Sequence, residues 1–294
     1  MDQQQWLILR HVLRKVARSF KPLKRSRYSD YLVACFYFWA VLHERPMTWA
    51  VNPLFYNRSF DPRKTPSVSQ LNRRVASDRF QLLLQRVHDR LVGDTRLRGL
   101  CLDGKPLCVS PVSQDRDARS GHVSGGMAKG YKLHAVVTSD GRIPAFSVLP
   151  LNVHEMPVAR RLLATLPWGL TGTLVLADGN YDAHVLHKDV AARGGWLITR
   201  PRGRARHPVT RRQMGPARRT LIDLWNAAPQ LMRRVYDYRR SVERRFGNLT
   251  ALPGLLSGLP PTVRGLARVR RFTGAKLCLY HARLIARKVA KEPV

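Results

Sequence analysis

Two short apolar runs each end on an aspartate followed by a glycine: "LCLDGKPL" delivers Asp103, and "TLVLADGNYD" delivers Asp178. Carboxylates fixed at strand ends are rigid oxygen donors, suited to metal-assisted chemistry on phosphates. The glycine after each removes a side chain that would crowd such a site. A single Asp-Gly reads as a turn, but two of them after matching apolar runs favour a site. A third carboxylate is expected from a helix further on. The chain holds four glutamates: Glu44, Glu155, Glu243 and Glu292. Glu155 follows Asn152 by three residues in "NVHE", a capping arrangement for the next helix. Glu292 falls in the terminal tail and Glu44 in an N-terminal helical region, which leaves Glu243. On a helix, Tyr236, Arg239 and Glu243 recur at spacings of three and four beside a stripe of Val235, Val242, Phe246 and Leu249. Glu243 also reads as a surface glutamate neutralised by Arg239 and Arg240. The histidines His134, His154 and His187 have no metal-ligand spacing. "GGMAKGYK" is not a phosphate loop, since Tyr131 follows Gly130 where lysine is needed.

The elements that must position these residues follow from periodicity. From Leu100 onward the order reads strand ("LCLDGKPL"), strand ("YKLHAVVTSD"), strand ("RIPAFSVLP"), helix, strand ("GTLVLADGN"), helix, strand ("WLITRP"). Asp140-Gly141 suits a tight turn between the second and third strands. This is the order of an RNase H-like α/β fold, a mixed sheet flanked by helices, in which the first and fourth strands are neighbours. Asp103 and Asp178 would then share one site. Residues 99–294 are expected to form this domain, with an Arg-rich loop or small insertion at about 201–230. Residues 1–98 read as an all-α region. "QQWLILRHVLRKVARSF" spaces its apolar residues by three and four, and "YLVACFYFWAVL" is a buried helix. A further helix opens with Ser67 and Gln70 at capping-box spacing. Its outer face offers Gln70, Asn72 and Arg73, which suit base edges and phosphates in a helix-turn-helix-like contact, or form the polar side of an ordinary amphipathic helix.

Charge points the same way. With 52 Lys and Arg against 19 Asp and Glu, the chain carries a formal +33 and calls for a polyanionic partner. The basic residues concentrate in 1–98 and 201–294 and leave 99–200 nearly neutral, so basic flanks embrace a less charged centre. Arg211, Arg212, Arg218 and Arg219 are candidates for gripping DNA. The longest apolar run is too short to span a bilayer, and no secretory signal is visible. The four cysteines lack metal or disulfide spacing. No membrane role is expected, and a cytoplasmic, nucleoid-associated setting fits.

"LDGKPL", "LADGNYD" and above all "YDYRRSVERRF" resemble bacterial insertion-sequence transposases of the DDE type. Tyr236, Arg239 and Glu243 match that family's Tyr-x2-Arg-x3-Glu signature, while Thr250 stands where the family's further lysine would be. The resemblance covers about residues 99 to 285. It implies a DNA transposase that cuts transposon ends and transfers the strands into target DNA. Asp103, Asp178 and Glu243 would be the catalytic and metal-binding residues, holding two Mg2+ ions, with Mn2+ an acceptable substitute, and Asp103 shared by both. Arg239 would hold a phosphate and Tyr236 would stack on or hydrogen-bond to the DNA backbone. The partners implied are double-stranded terminal repeats, target DNA and a second copy of the chain in a homodimer. Two other readings stay open: an RNase H-like endonuclease without strand transfer, and a DNA-binding descendant that has lost catalysis.

Overall fold

A computed structural model of the chain describes residues 3–57, 59–94, 99–201, 214–251, 256 and 258–290, with the side chains of 241–246, 248, 250 and 251 outside the description. Its contacts divide the chain into two units: residues 1–93 together with 249–294, and residues 94–248.

The first unit is helical. Helices α1 (Gln3–Arg18), α2 (Asp30–Leu42), α3 (Met47–Ala50), α4 (Val68–Val75) and α5 (Asp78–Val92) come from the N-terminal part of the chain, and α10 (Leu266–Val289) from its C-terminal part. Helix α1 buries Trp6, Leu9, Leu13 and Val16, the stripe its spacing predicts. Helix α2 is apolar all round, with Val33 to Val41 buried without interruption. Ser67 and Gln70 form the capping box at the start of α4. The sequence assigned residues 249–294 to the sheet-bearing domain, whereas α10 packs among the N-terminal helices. Phe272, Ala275, Cys278, Leu279 and Ala282 share one core with α1, α2, α4 and α5. Two polar ties reinforce this packing: Gln5 Nε2 donates to the Leu279 carbonyl (2.8 Å), and the fully buried Lys276 ammonium pairs with Glu44 (2.8 Å).

The second unit is α/β. Strands β1 (Gly99–Cys108), β2 (Arg119–Val123), β3 (Gly126–Thr138) and β4 (Ala145–Pro150) precede α6 (Glu155–Thr165). Then come β5 (Leu174–Leu176), a 3-10 turn (Gly179–Tyr181), α7 (His184–Ala192), β6 (Trp196–Ile198), α8 (Pro216–Ala227) and α9 (Pro229–Ala251). The strand order is β2-β3-β1-β5-β6, with β4 also on β3. β3 runs antiparallel to β1, β2 and β4, whereas β5 lies parallel to β1 and β6 parallel to β5. This is the mixed sheet flanked by helices that the order of elements implied. Asp140 and Gly141 make the β3–β4 turn, where Gly141 takes φ 88°, a value that favours glycine. Helix α6 covers one face, where Val158, Ala159, Leu162 and Leu163 meet Leu100, Leu102 and Val136. Helix α9 approaches the other face, with the Tyr238 ring edge 3.7 Å from a Cβ position on Gly99. Two elements differ from expectation. β2 was not foreseen, because "RSGHV" lacks the apolar alternation of a strand and is shaped by pairing with the start of β3. Part of the expected loop after Pro201 is helix α8, with Pro216 at its first turn.

Candidate active site

β1 and β5 fix the two aspartates. Their parallel register pairs Leu100 with Val175 and Cys101 with Leu176. Asp103 stands two residues past Cys101 in β1 and Asp178 two residues past Leu176, so a continuation of that register beyond β5 would set them side by side, neighbouring strands lying about 4.8 Å apart. Asp103 remains inside β1, opposite Ala135, and accepts a hydrogen bond from the Gly104 amide (2.8 Å). Asp178 lies just beyond β5 and caps the 3-10 turn, accepting from the Asn180 amide (2.7 Å). Both side chains are half-buried. The buried Tyr181 ring touches the same electrostatic neighbourhood. Burial raises its hydroxyl pKa, and the carboxylates of Glu155, Asp103 and Asp178 raise it further.

Glu155 is the residue that the sequence reading passed over. The cap of α6 is His154, whose Nδ1 accepts from the Met156 amide (3.3 Å). Glu155 therefore does not cap the helix through its side chain. Its carboxylate receives the Lys132 ammonium instead (2.7 Å). It stands over Gly104, where an added Cβ would lie 3.2 Å from both Glu155 Oε1 and Lys132 Cδ. The glycine after Asp103 thus makes room for an ion pair on the face that α6 covers. Gly179 is different, since a Cβ there would meet only the Arg200 carbonyl at an ordinary 3.6 Å. His134 pairs with Gly104 across the strands. Its ring nitrogens are buried and make no hydrogen bond among the described residues. Burial pushes its pKa down to about 4, against the pull of Glu155 and with the help of Lys132 and Arg161. Lys105, two residues after Asp103 and so on the same strand face, has its pKa lowered by burial, with Asp103 opposing.

The signature helix is α9. Tyr236 is buried and stands edge-on to Trp225 at 6.1 Å. The guanidinium carbons of Arg200 and Arg239 lie 5.2 and 5.3 Å from its ring centroid. Its packing is thus internal, and Arg239 rests on it. Glu243 belongs to α9, seven positions after Tyr236, and its side chain lies outside the described residues. Arg211 and Arg212 also lie outside them. Arg218 makes a two-point contact with the buried Asp182 (2.9 and 2.7 Å), and His187 Nε2 stands 3.2 Å from the same carboxylate. Arg219 donates to the Met214 carbonyl (3.0 Å). In the first unit, Gln70 is occupied by its capping contacts to Ser67, while Asn72 and Arg73 are exposed.

A family model described as the transposase DDE domain matches residues 94–280. The chain belongs to this DDE transposase family. No match was found among curated proteins or among solved structures. Transposases of this family act with divalent metal ions. Two half-buried carboxylates, one inside β1 and one just past β5, are oxygen donors of the kind that hard cations prefer. Among the described residues no group of three or more His, Cys, Asp and Glu side chains is placed to hold an ion; the carboxylate of Glu243 lies outside that set. Nor is any helix of the described residues long and apolar enough to cross a membrane.

Proposed function

We propose that the chain is an insertion-sequence transposase that cuts the DNA at transposon ends and joins the freed 3′ ends to target DNA. What supports this reading is that Asp103 and Asp178 each follow by two residues the paired stretch of the parallel neighbours β1 and β5, in a member of the DDE family. Asp103, Asp178 and Glu243 would hold the metal, Mg2+ or in its place Mn2+, with Asp103 common to two ions. When bound, the metal supplies Lewis-acid activation of a water or 3′-hydroxyl and neutralises the leaving oxygen. The chain's own residues bind and align the DNA. Arg239, braced on the Tyr236 ring, stands four positions before Glu243 in the sequence of α9 and would hold a phosphate, and no side-chain nucleophile is required. Asn72 and Arg73 on α4 are the exposed candidates for base and phosphate contact in the helical unit, and pairing two ends calls for a homodimer.

The decisive experiment incubates the full chain with Mg2+ and duplexes carrying the element's terminal repeats, then sequences the products. Nicks at the repeat boundary and joined target strands are the expected result. Cutting without joining would make the protein a nuclease. No Mg2+-dependent cutting would overturn the proposed reaction.

A further inference from the structure

Beside Tyr236, on the side of α8 and α9, lies a cavity of about 510 Å3 with an aromatic wall and a basic rim. Trp225 supplies the wall. The rim holds Arg200 from the chain after β6, Arg233 and Arg240 from α9, and Asn226 from the end of α8. Arg233 and Arg240 are seven residues apart, two helical turns, and so share one stripe. Arg200 is held over the Tyr236 ring, and Trp225 is anchored by its indole N–H donating to the Thr199 carbonyl (2.9 Å). The guanidiniums thus come from separate elements locked together by a packed aromatic pair. Among the described residues the rim holds one carboxylate, Asp237, which pairs with Arg240 at 3.4 Å, and both are largely exposed. Such a contact is weak, and three guanidiniums outweigh one carboxylate. Arg200 also touches the loop of the second aspartate, its carbonyl being 3.6 Å from a Cβ position on Gly179.

We propose that this cavity seats the sugar-phosphate backbone of one DNA strand immediately beside the phosphate that is cut. Arg200 and Arg233 take the phosphate oxygens, and the deoxyribose lies against Trp225. A guanidinium fork matches phosphate oxygens in two-point contacts, and an indole face accepts the apolar side of a sugar. The inference rests on the transposase reading, since it needs a strand passing Asp178.

The test is a coupling measurement on 40-base-pair duplexes carrying the terminal repeat, each with one uncharged methylphosphonate in place of a phosphate. Binding is read without divalent metal, so that nothing is cut. At one position within three nucleotides of the cut, the methylphosphonate should weaken wild-type binding roughly tenfold. Arg233→Ala should weaken binding to the unmodified duplex by a similar factor and be insensitive to that same methylphosphonate. Arg233 is exposed, so the variant should melt like the wild type. If the two losses multiply at every position, Arg233 and the phosphates are independent and the inference is overturned. Cleavage in Mg2+ is scored separately on the unmodified duplex. A protein that shows the coupling but never cuts refutes the proposed reaction and not the seat.

Discussion

If Asp103, Asp178 and Glu243 hold the metal as proposed, replacing one removes an oxygen donor and leaves the DNA grip in place. Asp103→Ala, Asp178→Ala and Glu243→Ala should therefore each abolish cleavage of a terminal-repeat duplex while its affinity, read by gel shift, stays within a few-fold. Near wild-type cutting by any one of them would remove that residue from the triad. His134 gives a different signature. The unfolded chain takes up a proton near pH 6.5, the folded imidazole only near 4. In that window the unfolded state binds more protons, so the stability this group contributes is complete above about pH 6.5, is lost as pH falls toward 4, and is flat below. The shift amounts to about 3 kcal/mol. Urea titrations at pH 7 and pH 4.5 should show the loss in the wild type and a smaller one in His134→Gln. Equal losses would mean that the imidazole is not held neutral. Asp103 and Asp178 were legible in the sequence because an apolar run ending on Asp-Gly is a local pattern. Glu155, Lys132 and His134 were not, because they meet only through the β1–β3 register and the docking of α6. Gly104 was the one local hint of that meeting.

The elements hold the second aspartate in place through a network that sequence spacing did not reveal. Asp182, just after the 3-10 turn, is buried and receives Arg218 from α8 and His187 from α7. Arg218 was a candidate for DNA contact, but it ties α8 to the loop that follows Asp178. Deleting one partner of a buried pair costs roughly 3–5 kcal/mol when the other charge is left alone, and less here, where His187 still meets Asp182. Arg218→Ala should therefore lower the denaturation midpoint and leave the salt dependence of DNA binding nearly unchanged. A flatter salt slope with unaltered stability would return Arg218 to the DNA grip. Strands β1, β3, β4 and β5 were readable from alternation and bracketing turns. β2 and α8 were not: β2 is polar and exists through its partner, and α8 lies in a stretch whose arginine content reads as loop.

Across the whole molecule, the arrangement of the chain ends matters most. The all-α character of residues 1–98 was visible in their spacing of three and four, but no local pattern could show that α10 completes their core. A fragment of residues 1–98 lacks Phe272, Leu279 and the Lys276 partner of Glu44. It is expected to give little helical circular dichroism and no cooperative melt, and to recover both when residues 249–294 are co-expressed. A cooperative melt of the fragment alone would show that α10 is dispensable. The unit bearing Asn72 and Arg73 is thus discontinuous in sequence, and the sheet-bearing unit is an insertion within it. During synthesis the sheet can close while the ribosome is still at work, but the helical core waits for α10, which is made after the whole of the sheet-bearing unit. Any copy of the gene cut short before α10 would yield a chain with its carboxylate pair intact and its helical unit unfinished, a product prone to degradation rather than to competing for transposon ends.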